Sequence, residues 1–180
     1  MLRILCVAVL GTLAACSPAL DWRLVTIPEA GLQASLPCKP DQVQRSVELA
    51  GTPVDMHMSG CEADGATFAV ACAAVQDPAQ TGAALTHWRA AVLAGLQAPA
   101  EGHAGAPRNM PFLPTGALSI PPSVRTEVQG RSRDGASVAA QAVWFARVQG
   151  ARVQACHAIV LSAQPRLAQA DQFFAGLVLQ

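Results

Sequence analysis

SVAAQAVWFARV (residues 137–148), QG (149–150) and ARVQACHAIVL (151–161) decide the fold. The first run is rich in β-forming residues and centred on Trp144-Phe145. The Gln149-Gly150 pair turns the chain into the second. In a strand, successive side chains point to opposite faces. Both runs carry apolar residues at odd and even positions alike, so both are central strands covered on each side. A sheet covered on both faces needs layers on both faces, and the rest of the chain has to supply them.

Working outward, shorter strands precede this pair. Leu24-Val25-Thr26-Ile27 is closed by the turn signal Pro28-Glu29-Ala30-Gly31, and Leu32, Ala34 and Leu36 alternate in the next run. From 43 to 49, Gln44, Ser46 and Glu48, with Gln42 before them, oppose Val43, Val47 and Leu49, the pattern of a strand with one polar face. Residues 54–59 and 67–75 form a hairpin around Asp64-Gly65. A two-residue loop there sets Cys61 opposite Phe68 and His57 opposite Cys72. A three-residue loop with Gly65 left-handed sets Met58 opposite Val70 and Met56 opposite Cys72. The second choice gives one uniformly apolar face, so it is the expected register, with Cys72 inward and Cys61 on the other face.

Asp77-Pro78 opens a helix, with Thr81 as the alternative cap. Leu85, Trp88, Val92, Leu93 and Leu96 form its apolar side, and it ends before Pro99. Residues 100–107 read as a loop, and the proline-rich stretch 110–122 is excluded from central strands. Residues 124–129 give a further strand. Pro165 opens a second helix through Leu167, Ala170, Phe173 and Phe174 that Gly176 ends, and Leu177-Val178-Leu179 adds a last strand. The expected fold class is α+β: a mainly antiparallel β-sheet packed with two principal helices.

Composition narrows the function classes. The chain is 52% hydrophobic and 13% charged, which excludes a disordered or polyelectrolyte chain. Its net charge of +0 gives no electrostatic ground for nucleic acid as a partner. Tyrosine is absent and aromatics are few, which argues against sugar-binding and base-stacking surfaces.

The N-terminus has the layout of an export signal: Arg3, an apolar core over 4–13, then Ala14-Ala15. The apolar run of about ten residues is too short for a spanning helix, which needs about 20. Leu13-Ala14-Ala15-Cys16 resembles the lipobox of bacterial lipoproteins. That resemblance implies that residues 1–15 are a lipoprotein signal peptide, that Cys16 is lipidated, and that 16–21 tether a single α+β periplasmic domain over 22–180. Stable anchoring needs more than one acyl chain, which a lipoprotein cysteine carries. Ser17 stands where an aspartate favours inner-membrane retention in that family, so the implied address is the outer membrane, facing the periplasm.

With Cys6 lost with the leader and Cys16 lipidated, Cys38, Cys61, Cys72 and Cys156 remain. An even number in an exported chain reads as two disulfides with three possible connectivities. Cys38 and Cys61 lie at strand ends beside turns, and Cys72 and Cys156 lie within strands, so the expected pairs are Cys38–Cys61 and Cys72–Cys156. These cysteines with His57 and His157 lack the close spacing of zinc ligands, so no metal and no cofactor is expected.

The layout, with GLQASLP early (residues 31–37) and DQFFAGLVL at the end (171–179), is similar to small PsbP-like α/β/α sandwich domains. The resemblance spans 22–179, to a family known mostly for non-enzymatic or uncharacterised members, and carries no functional residues across.

Candidate chemistry is sparse. Cys156-His157 are neighbours on a strand and point to opposite faces, which rules out a thiol–base pair. Asp55 and His57 share a face, and Ser59 or Ser46 would complete a triad fragment, but no Gly-x-Ser-x-Gly elbow presents a serine. His87 and His103 read as exposed. Arg125, Arg131 and Arg133, with Arg147 and Arg152, are the candidate basic patch for lipid headgroups or an acidic partner. No phosphate loop, dinucleotide fingerprint or carboxylate pair is present. The expectation is a non-catalytic envelope lipoprotein, held in the membrane by Cys16, with a protein-interaction or envelope-maintenance role. A small-molecule or metal-binding periplasmic domain is the alternative, and a hydrolase comes third.

Overall fold

The computed structural model describes residues 19–180, so Cys6, Cys16 and the signal peptide expected over residues 1–15 lie outside the described residues. Ten strands and two helices follow in the order β1 (Arg23–Ile27), β2 (Leu32–Leu36), β3 (Asp41–Leu49), β4 (Thr52–Ala63), β5 (Ala66–Val75), α1 (Thr81–Gly95), β6 (Arg108–Pro111), β7 (Val124–Arg131), β8 (Ser137–Gln149), β9 (Arg152–Ser162), α2 (Leu167–Ala175) and β10 (Val178–Leu179). The fold is α+β and dominated by antiparallel sheet. Seven strands pair in the order β3-β4-β5-β9-β8-β7-β6, and a second sheet pairs β1-β2-β10.

The two-faced strands read from the sequence, β8 and β9, sit inside the large sheet, and each face has its own core. On one face Phe68, Val70, Cys72, Val143, Phe145, Cys156 and Val160 meet Leu32, Ala34 and Leu36 of β2 and Phe173 and Phe174 of α2. Phe68 packs edge-on between Trp22 at 6.1 Å and Phe173 at 5.8 Å. On the other face α1 lays Leu85 and Trp88 over Trp144, Ile159 and a floor of alanines at 71, 73, 140, 142, 146 and 155. The small floor makes room for the Trp88 indole beneath the helix. Burying one such aromatic or leucine side chain contributes about 2–3 kcal/mol.

The hairpin β4–β5 departs from the expected register. Cys61 pairs with Phe68, His57 with Cys72, and Ala63 with Ala66. The connection is therefore the two-residue loop, with Asp64 at φ 50° and Gly65 at φ 69°, the left-handed pair that a type I′ turn requires. The three-residue expectation assumed one covered face. Both faces are covered here, so the slip hides nothing from water and the turn geometry decides. Cys61 and Cys72 consequently share a face, and the assignment of Cys61 to the opposite face is corrected.

α1 starts at Thr81. Asp77 caps a preceding 3-10 turn (Pro78–Gln80) by accepting from the Ala79 N–H at 2.9 Å, and the Thr81 hydroxyl donates to the Pro78 carbonyl at 2.7 Å. The C-terminal end of α1 is fastened to the edge of β7, where the Arg131 N–H donates to the Leu96 carbonyl at 2.7 Å. β6 is an edge strand holding Pro111, as proline requires.

Disulfides join Cys38 to Cys61 and Cys72 to Cys156. The second links directly opposed residues of β5 and β9. Two disulfides point to an oxidising, non-cytoplasmic compartment. Among the described residues no helix is long and apolar enough to cross a membrane.

Candidate functional site

The residues singled out by their chemistry do not assemble. Asp55, His57 and Ser59 share one face of β4, and Ser46 lies opposite Asp55 on β3. No hydrogen bond joins any two of these four. His57 lines a cavity of about 440 Å³ with Ser59, Gln42, Gln44 and Glu29, which supplies it with no orienting carboxylate contact. Cys156 and His157 face different cores, and Cys156 is bonded to Cys72. Among the described residues no three His, Cys, Asp or Glu side chains cluster closely enough to hold a metal. His87 and His103 are exposed.

The basic patch also dissolves. Arg131 and Arg133 lie at one end of the thirteen-residue β8, and Arg147 and Arg152 at the other. Such a strand is about 40 Å long, so the two groups cannot form one surface. Arg147 donates to the Gly31 carbonyl at 2.6 Å, and Arg131 to the Gly135 carbonyl at 3.0 Å.

Arg125 has a different fate. Its side chain, 13% exposed, lies between β7 and α2. One terminal nitrogen donates to Asp171 of α2 at 2.5 Å, and the other to the Gln141 Oε1 of β8. Glu127 lies 3.6 Å away, and the guanidinium stacks 5.2 Å from the Phe174 ring centre. An arginine can only donate, so it fixes which end of the Gln141 amide is oxygen. The Nε2 end of Gln141 bonds no described group and is reached by solvent through the neighbouring cleft.

That cleft, of about 510 Å³, lies between the start of α2, the β7–β8 face and the loop over residues 101–108. Its polar lining is Glu101, His103, Arg108, Glu127, Gln129 and Gln141, and its apolar walls include Pro107, Ala139, Pro165 and Leu167. Glu127 and Gln141 are directly opposed on β7 and β8. Arg108 reaches Glu127 at 3.8 Å from β6 and is largely exposed. Size and composition fit a small-ligand site, with a few polar groups converging between apolar walls.

Glu127, Gln141, Asp171 and Arg108 were not anticipated. One signal was present: Gln141 interrupts an otherwise apolar run at a position that the two-faced pattern makes interior. A buried amide needs a partner, and that partner is Arg125.

A scan against protein-family models found no match for this chain, and a search of curated proteins found no relative.

Proposed function

We propose that this chain is a lipid-anchored envelope protein on a PsbP-like scaffold, acting by binding a protein partner and not by catalysis. Cys16 carries the anchor, and the body faces the periplasm from the outer membrane. The lipobox-like leader, the two disulfides and the sheet layered on both faces support this reading. The observation that carries it is the lining of the cleft over β7 and β8: hydrogen-bonding groups of Glu127, Gln129 and Gln141 set between the apolar walls of Ala139, Pro165 and Leu167. The same cleft favours a second reading, a small-molecule site, through its volume of about 510 Å³.

The anchor is tested by growing cells on radiolabelled palmitate. Label is expected in the wild-type protein and absent from Cys16→Ala, with the wild type sedimenting with outer-membrane vesicles. Equal labelling of both, or of neither, removes the anchor. For the non-catalytic reading, a generic ester and amide substrate panel is expected to give no turnover. Turnover abolished by His57→Ala would replace it with a hydrolase.

A further inference from the structure

The β7–β8 end of the cleft holds a donor beside an acceptor, each set on a strand. Gln141 is 4% exposed. Its Oε1 is taken by Arg125, which leaves two N–H groups of Nε2 without a partner among the described residues. Glu127, its direct cross-strand partner, is bound only by ion pairs at 3.6 and 3.8 Å, too long for hydrogen bonds, so its carboxylate keeps acceptor capacity. Directly opposed side chains on antiparallel strands lie about 5 Å apart at Cβ.

We infer that this pair recognises the backbone of a short, neutral peptide segment, and this rests on the binding role proposed above. In an extended peptide the N–H and C=O of one residue point to the same edge, which is how antiparallel strands exchange paired hydrogen bonds. The ligand C=O accepts from Gln141 Nε2, and its N–H donates to Glu127. A carboxylate ligand satisfies Gln141 but meets the Glu127 charge with nothing to donate. An ammonium satisfies Glu127 but leaves Gln141 without an acceptor. The N–H and C=O of one extended residue satisfy both.

The walls set the rest. Ala139, Pro165 and Leu167 offer apolar contact for small side chains, and about 510 Å³ holds a few residues at most. Leu167, at the start of α2, is 53% exposed although apolar, and a ligand in the cleft would cover it. The site is set before the ligand arrives: Asp171 and Phe174 hold Arg125, and Arg125 holds the Gln141 amide. Such preorganisation lowers the cost of binding.

The test is an NMR titration of the full chain, nitrogen-15-labelled and purified in detergent, with three probes: N-acetyl-trialanine amide, unblocked trialanine and sodium acetate. The blocked peptide is expected to shift the Gln141 side-chain amide and the Glu127 and Leu167 backbone signals, saturating at about millimolar concentration. Unblocked trialanine tests a free peptide as the source; matching affinity assigns the site to free peptides, and weaker affinity to internal segments of a protein. Gln141→Leu is expected to weaken the blocked peptide about tenfold. Leu167→Trp, at an exposed position that folding tolerates, is expected to fill the cleft mouth and abolish the shifts. Absence of shifts with the blocked peptide overturns the inference, as do shifts that survive Leu167→Trp, or acetate producing the same shifts. Cleavage of the peptide during titration would overturn the non-catalytic reading and leave the amide site standing.

Discussion

His157 stacks on Trp144, ring centre to ring centre at 5.5 Å and within 24° of parallel, from the directly opposed position on the neighbouring strand. Trp88 of α1 closes over it at 5.3 Å. The other neighbours on its face are Ala155 and Ile159 of β9 and Ala71 of β5, none of which ionises. Among the described residues neither imidazole nitrogen has a hydrogen-bond partner, nor does the Trp144 indole nitrogen. A neutral imidazole in this position is held by aromatic packing alone.

Burial lowers the pKa of His157 from 6.5 to about 4, with no charged neighbour contributing. The unfolded chain therefore takes up a proton before the folded one does. The associated stability is present in full above about pH 6.5, is lost as pH falls, and levels off below about pH 4. The shift corresponds to about 3 kcal/mol. In urea titrations from pH 7.5 to 3.5, His157→Phe is expected to flatten this acid slope relative to wild type while keeping the stack. Parallel slopes would show that His157 is not buried in the neutral form.

The two disulfides should differ in reactivity and in worth. Cys72 and Cys156 are 2% and 0% exposed, whereas Cys38 and Cys61 are half-buried. Limited reduction followed by alkylation and peptide mass spectrometry is expected to label Cys38 and Cys61 first. Paired alanine substitutions should cost about 3.5 kcal/mol for Cys38–Cys61, separated by 23 residues, and about 4.5 kcal/mol for Cys72–Cys156, separated by 84. Earlier labelling of the buried pair would contradict the packing around β5 and β9.

The central architecture was legible because it is written in short-range pattern. Residues 137–161 show apolar side chains on both faces, and that alone implies a covered sheet. Cys38, Cys61, Cys72 and Cys156 likewise implied disulfides. The β4–β5 register was misread because the criterion, one apolar face, is informative only when the other face is wet. Here Met56 and Phe68 point into different cores, so either register buries apolar groups and the Asp64-Gly65 turn settles the matter. The cleft was not legible for a different reason. Its groups come from β6, β7, β8, α2 and a loop, and the contact that organises them joins Arg125 to Asp171, 46 residues apart. Sequence spacing reports neighbours on one element, and this site has few.

Arg125 should matter more than its ion-pair partner. Asp171 is 62% exposed and rehydrates freely when unpaired, so Asp171→Asn is expected to cost under about 1 kcal/mol. Arg125→Met also removes the partner of the buried Gln141 oxygen and the contact with Phe174, and is expected to cost about 2 kcal/mol. Equal losses in a double-mutant cycle would mean that the ion pair alone carries the interaction.

Gly130 is expected to be the least replaceable residue near the cleft. A Cβ there would stand 2.1 Å from the Leu96 carbonyl oxygen and 3.2 Å from the Leu96 Cβ. The obstacle is backbone, so no rotamer change relieves it. The Leu96 carbonyl is also the acceptor for the Arg131 N–H, the bond that fastens the end of α1 to the edge of β7. Gly130→Ala must therefore push the α1 terminus off that edge, at a cost of about 2–3 kcal/mol. The segment that follows α1 carries the 101–108 wall of the cleft, and its Gly105 carbonyl accepts from the Gln129 N–H at 3.0 Å. Hydrogen exchange read by mass spectrometry should show faster exchange at Arg131 and Gln129, with the central β8 and β9 amides unchanged. Gly135→Ala, at a position where a Cβ meets nothing within 4 Å but φ is 84°, controls for backbone strain. Its effect is expected to stay local to the β7–β8 loop. Unchanged exchange at Arg131 in Gly130→Ala would show that α1 does not dock through Leu96.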